Sequence, residues 1–150
     1  METVVVHGSY EIDANPARVD RDALWQFVST EAYWARWRSR ADVEQQLLGS
    51  WRVVGCYDHA GRMVGFARAV SDGVDLAYLT DVYVLASHRG RGLGHAILHE
   101  MIDNGPGRDF RWMLHTSDAH DLYRKLGFSE PDRRYMERPS RKAAPLDPGQ

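Results

Sequence analysis

The stretch from Val82 to Ile102 constrains this chain more than any other. Val82-Tyr83-Val84 closes a β-rich run, His88-Arg89-Gly90-Arg91-Gly92-Leu93-Gly94 follows, and Leu93, Ile97, Leu98, Met101 and Ile102 then recur on one face of a helix. A helix start leaves its first backbone N–H groups unpaired, and glycines at 90, 92 and 94 remove the Cβ atoms that would keep a phosphate away from them. A strand, glycine loop and helix in this order read as a diphosphate cradle. The spacing excludes two kinds. A Walker loop needs Gly-Lys-Ser or Gly-Lys-Thr after four intervening residues, and a dinucleotide fingerprint needs its third glycine one position later than Gly94. What stands here is Arg-x-x-Gly-x-Gly, from Arg89 to Gly94.

The rest of the chain supplies sheet and helix around that loop. Thr3 to Ile12 is β-branched and is closed by Pro16, which predicts one strand. Asp20 is placed to cap a helix carrying Leu24, Trp25, Phe27 and Val28. A second helix is expected from about Ala41 to Leu48, with Val43, Leu47 and Leu48 apolar and a left-handed cap at Gly49. Trp51 to Tyr57 and Met63 to Val70 flank Asp58-His59-Ala60-Gly61, the composition of a hairpin turn. Val74 to Leu85 predicts the central strand.

Beyond the loop helix, which stops at Asn104-Gly105-Pro106, Phe110 to Thr116 reads as a strand. Asp118 then caps a short helix with Leu122, Tyr123 and Leu126, Gly127 ends it, and Phe128 onward returns as a last strand. From Pro139 the composition is that of disorder. Residues 1–138 are therefore expected to form one domain, with 139–150 as a tail.

Composition narrows the class further. A chain of 150 residues can bury a core without disulfides or a structural metal. Its 19 basic and 21 acidic side chains leave a formal charge of −2, which gives no bulk reason to bind nucleic acid or an anionic membrane. Cys56 is alone, so neither an internal disulfide nor a thiol zinc cluster can form. No segment approaches the roughly 18 apolar residues of a membrane span, and Met1 to Tyr10 lacks a basic segment followed by an apolar run. The cytoplasm is the expected location.

At the loop the sequence resembles the GNAT acetyltransferase superfamily, whose signature is Arg or Gln, two residues, Gly, one residue, then Gly or Ala. About thirty residues later, Leu122-Tyr123-Arg124-Lys125-Leu126-Gly127-Phe128 is similar to the family's second signature. The order of elements also matches, over roughly residues 20 to 138. The resemblance implies an α/β GNAT fold: a mixed central sheet of about six to seven strands, about four flanking helices, and a splay between central strands that admits CoA.

The same resemblance implies roles for individual residues. Backbone groups of Val82, Tyr83 and Val84 would pair with the pantetheine arm of acetyl-CoA as an added strand. Backbone N–H groups of Arg89, Gly90, Arg91, Gly92, Leu93, Gly94 and His95 would hold its pyrophosphate. Tyr123 stands where many relatives carry a tyrosine thought to protonate the leaving thiolate; a phenol of pKa about 10 is a suitable weak acid for that step. Asp118 stands where many relatives have an Asn touching pantetheine.

The group that takes the proton of an attacking amine is left open. Relatives often place a Glu on the central strand at positions that are Tyr78 and Thr80 here, which makes these two acceptor-facing candidates. Asp81 is the nearest carboxylate and a candidate base, although strict alternation points it to the other face unless a bulge re-aims it. His115, Asp118, His120 and an ordered water are the alternatives. Tyr33-Trp34-Ala35-Arg36-Trp37-Arg38-Ser39-Arg40 would border the acceptor channel, with Tyr33, Trp34 and Arg38 as its substrate-binding candidates; the competing reading is that the tryptophans only pack and the arginines are solvated. His95 and His99 have a metal-compatible spacing, but Ala96 stands where a zinc-protease motif needs Glu, so no metal is expected.

The expected activity is transfer of the acetyl group of acetyl-CoA to a primary amine of a small molecule or peptide by direct attack. A non-catalytic acyl-CoA sensor of the same fold is the alternative, and a longer acyl group or a hydroxyl acceptor is a variant of the enzyme reading. Neither nucleic acid nor membrane is an expected partner, and a homodimer is left open.

Overall fold

The computed structural model describes residues 3–32 and 37–142. Six strands form one sheet in chain order: β1 (Val5–His7), β2 (Tyr10–Asp13), β3 (Arg52–Tyr57), β4 (Met63–Ser71), β5 (Leu76–Val84) and β6 (Arg111–Met113). Neighbours from β1 to β5 are antiparallel, and β6 lies parallel to β5 after a helical crossover. The mixed sheet with four α-helices agrees with the expected fold class. Thr3 to Ile12 is not one strand, however: Gly8, at φ 60°, and Ser9 turn it into a hairpin. The predicted central strand is fifth of six.

Helices cover both faces. On one, α1 (Arg21–Thr30) and α2 (Arg40–Leu48) bury Leu24, Phe27, Val28, Val43 and Leu47 against Val53, Tyr57, Phe66 and Tyr83. On the other, α3 (Leu93–Met101) buries Leu93, Ile97, Leu98 and Met101 against Ile12, Val54, Cys56, Ala67 and Leu79. Tyr123 of α4 (His120–Arg124) joins this second cluster.

Helix ends explain most of the boundaries. Asp20 caps α1 by accepting from the Ala23 N–H at 3.0 Å. Ser39 and Asp42 form a reciprocal capping box that starts α2 one residue earlier than expected. Gly49 ends that helix in right-handed, not left-handed, geometry, and Leu48 is 73% exposed, so neither plays its expected part. Asp118 does not cap α4: Ala119 holds the cap position, and Thr116 accepts its N–H. Gly127, at φ 91°, does terminate that turn. No strand forms from Phe128 onward among the described residues; its ring packs edge-on against Tyr123 with centroids 5.6 Å apart.

Two irregularities position the site. Pairing of β5 with β6 stops at Tyr78 opposite Met113, while β5 continues to Val84, so the sheet opens beyond that point. On its other side, β5 carries a bulge. Phe66 pairs with Tyr83 and Arg68 with Thr80, which leaves Ala67 facing both Asp81 and Val82. Asp81 absorbs the extra residue at φ 52°, a left-handed conformation that costs a non-glycine residue on the order of 1–3 kcal/mol.

Candidate active site

The opening between β5 and β6 is the floor of a cleft of about 1250 Å3. It is lined by β5 from Tyr78 to Val84, by His88, Arg89, Gly90, Gly92, Leu93, Gly94 and His95 but not Arg91, and by Thr116 to Ala119, Leu122, Tyr123 and Lys125. Phe27 and Glu31 close the end near α1. Most residues expected from sequence to serve the reaction therefore meet in one place.

At the phosphate end, Gly90 and Gly92 have φ of 79° and 76°. A side chain would strain both, and Gly92 is the N-cap of α3, so the first N–H groups of that helix face the loop. Alternating left-handed glycines curl successive N–H groups into a concave anion site. Arg89 is committed in part: its Nε–H donates to the Val84 carbonyl at 2.9 Å, tying the loop to the strand. The Arg91 carbonyl binds the His7 ring at 2.9 Å, and His88 Nδ1 binds the Tyr10 hydroxyl at 2.8 Å. The β1–β2 hairpin thus braces the loop from behind. A diphosphate fits this cradle, and the open β5 edge continues from it toward Tyr123.

Tyr123 is 8% exposed. Burial, assisted by the nearby Asp118 carboxylate, pushes its phenol up to about 12. It therefore holds its proton throughout the working range, as a group that donates to a thiolate must. Asp118 lines the cleft beside it, whereas His120, the first residue of α4, is not among the lining residues.

Asp81 and Arg38 require correction. The bulge places Asp81 on the α1/α2 face together with Tyr78 and Thr80, but its carboxylate is enclosed there. Arg38 donates to both oxygens at 2.9 Å, and Arg68 Nε–H donates at 2.7 Å. Burial alone would raise the Asp81 carboxyl, yet the bonds and charges of Arg38 and Arg68 outweigh it and hold the group below the usual carboxylate range. A carboxylate so held is a poor proton acceptor. Arg38 is equally spent: it is 7% exposed and also donates to Gln46 at 2.6 Å. Instead of binding a substrate anion, it fastens the connection between α1 and α2 to the bulge. Tyr33 and Trp34 lie outside the described residues; Trp37 is 41% exposed and so does not pack into the core.

Four contributors carry little or no local sequence signal. Arg68 is an isolated cation in an apolar strand, and that oddity is its only sequence signal. Phe27 stacks on Tyr83 with ring centroids 3.7 Å apart, and Glu31 follows one turn later at the end of α1. Glu137, from the segment past the missing last strand, binds His115 Nε2 at 2.9 Å; His115 Nδ1 is in turn hydrogen-bonded to the Tyr78 hydroxyl. The His95 and His99 rings stack with centroids 6.4 Å apart, and among the described residues no three metal-ligating side chains converge.

Known proteins share this architecture. The model of the acetyltransferase (GNAT) family matches residues 15–128. A crystal structure from Xanthomonas campestris pv. campestris, described as belonging to the GNAT family, superposes with a TM-score of 0.81 at 33% identity, over 87% of this chain and 93% of that one. A Gibberella zeae protein named as an acetyltransferase is 30% identical over 112 residues, 73% of this chain and 62% of its own length. The rice protein named chloroplastic serotonin N-acetyltransferase 2 is 35% identical over 85 residues, 55% of this chain and 42% of its own length. The chain thus spans less than two thirds of these two curated relatives. A signature loop on the predicted elements, an opened sheet beside it and a family match over most of the sequence lead to one assignment: this chain belongs to the GNAT family of acetyltransferases.

Proposed function

We propose that this chain transfers the acetyl group of acetyl-CoA to a primary amine of a small molecule or peptide, by direct attack of the amine on the thioester. The observation that carries this reading is the single cleft in which the glycine loop, the unpaired edge of β5 and the protonated Tyr123 adjoin an aromatic end bearing Glu31. Acetyl-CoA supplies the activated carbonyl. The N–H groups from Arg89 to His95 hold its diphosphate, and backbone groups of Val82 to Val84 align its arm in the place that β6 vacates. Tyr123 gives its proton to the departing thiolate. Phe27, Tyr83 and Glu31 form a surface suited to a cationic or aromatic amine, in keeping with the amine named for the rice relative.

Direct attack is supported by the position of the sole cysteine. Cys56 is buried in the core, away from the cleft, and cannot carry an acetyl group to the acceptor. Initial-rate lines should therefore intersect when both substrates are varied; parallel lines would indicate an acetyl-enzyme.

The test is release of CoA across a panel of putrescine, 2-phenylethylamine, kanamycin, lysine and trialanine. Amine-dependent release is expected with at least one of them, together with thermal protection by acetyl-CoA. Protection by NAD or ATP alone would overturn the cradle assignment, and tight acetyl-CoA binding with no amine-dependent release would overturn the enzyme reading.

A further inference from the structure

A direct attack needs a free amine, so a group in the cleft must take a proton from the ammonium. The carboxylate nearest in sequence, Asp81, is closed off by two guanidinium groups. Tyr78, on the same face of β5, lines the cleft and is hydrogen-bonded to Nδ1 of His115, another lining residue two positions past the end of β6. Nε2 of that ring meets the Glu137 carboxylate at 2.9 Å. We propose that Tyr78, His115 and Glu137 form the proton-accepting relay for the acceptor amine, an assignment that rests on the acetyl-transfer reading above.

The chemistry follows from the order of the three groups. A carboxylate can only accept, so Glu137 selects the tautomer with hydrogen on Nε2 and leaves the Nδ1 lone pair facing the Tyr78 hydroxyl. The Tyr78 oxygen takes a proton from the ammonium as its own phenolic proton passes to Nδ1, which never requires a free phenolate. The resulting imidazolium is balanced by Glu137. As the C–N bond forms and the C–S bond breaks, Tyr123 protonates the thiolate; the second proton shed by nitrogen replaces the one Tyr123 gave. His115, with about half of its side chain exposed, returns its proton to water. The titratable groups bearing on the Tyr78 hydroxyl, besides His115, are Glu137 and Tyr135 of the C-terminal segment.

Tyr78 is the member that touches the amine, and Glu137 is a positioning residue that acts through the ring. Two measurements test the relay. Long-range proton–nitrogen NMR of the resting protein should show His115 protonated on Nε2 and bare on Nδ1; the opposite tautomer would overturn the relay whatever the kinetics. With acetyl-CoA and the same amine panel, Tyr78→Phe should lower kcat/KM for the amine by about 100-fold, leaving acetyl-CoA affinity and Tm unchanged. Glu137→Gln should lower kcat by about tenfold with the amine KM and acetyl-CoA affinity unchanged, because the imidazolium formed in the relay loses the carboxylate that balances it. Glu137→Asp should restore kcat. An active wild type with an equally active Tyr78→Phe, or a Glu137→Gln kcat identical to wild type, overturns the relay alone. A wild type silent across the panel overturns the acetyl-transfer reading and the relay with it.

Discussion

Arg38 and Asp81, 43 positions apart, meet as a bidentate ion pair with both N–O distances at 2.9 Å, and both residues are 7% exposed. The pair joins the start of α2 to the bulge of β5. Removing Asp81 leaves two buried guanidinium groups without their carboxylate, so Asp81→Ala should cost about 3–5 kcal/mol in denaturant unfolding, whereas Arg38→Ala leaves Asp81 paired with Arg68 and should cost less. Asp81→Asn should lose stability too, but a soluble preparation should retain kcat within about threefold, on the scale that separates positioning from the 100-fold loss of a proton-transfer group. A 100-fold fall in kcat with unchanged stability would return Asp81 to the role of base.

Acid should weaken the same clamp. The Asp81 carboxyl is held below its ordinary value by Arg38 and Arg68 despite burial. A depressed carboxyl contributes stability above its unfolded pKa, about 3.9, and loses it as pH falls through the lower folded value. Unfolding free energy should therefore drop below about pH 4, and Asp81→Asn should flatten that part of the curve; equal slopes for the two proteins would refute the assignment.

Tyr123→Phe keeps the ring packing against Phe128 and removes only the hydroxyl. Turnover should fall by about 100-fold or more with acetyl-CoA affinity nearly unchanged. Because the phenol is pushed up to about 12, wild-type kcat should show no alkaline fall centred near 10 from this group. Unchanged turnover in the variant would remove Tyr123 from the acid role.

Gly90 has open space where a side chain would stand, so Gly90→Ala isolates the effect of its positive φ. The strain is about 1–2 kcal/mol, and relief by reorienting the loop N–H groups should weaken acetyl-CoA binding roughly tenfold while the amine KM stays constant. Isothermal titration with acetyl-CoA decides it; unaltered affinity would show that the loop does not shape the phosphate site.

Cys56 is buried, and desolvation pushes its thiol up to about 12. Native protein should not react with a disulfide thiol reagent over minutes, and denatured protein should react with one equivalent. A fast native reaction would contradict the packing of β3 beneath α3.

The parts legible in sequence are those whose cause is local. The glycine loop, the Asp20 cap and the Leu-Tyr-Arg-Lys-Leu-Gly-Phe turn state their geometry within a few residues, and all three stand where expected. The site's connections are long-range. The bulge exists because β4 advances two residues while β5 advances three, a mismatch between strands that neither strand reveals alone. Arg38 and Arg68 find Asp81 only after that bulge turns it toward them. Glu137 is obscured for a related reason: its segment reads as a last strand from Phe128 onward, and it meets His115 only because the chain runs back past β6 without pairing.

The bulge also separates two parts of this chain that can be varied independently. The proposed CoA side depends on the edge of β5 and the glycine loop, whereas the chain entering α2 is anchored to the sheet by the guanidinium of Arg38. Changes ahead of that anchor should leave the register of β5 and the glycine loop intact. Libraries that vary 33–37 and keep Arg38, Arg68 and Asp81 fixed should therefore leave acetyl-CoA affinity unchanged, making a structural ion cluster the divider between the sheet edge and the chain that precedes it.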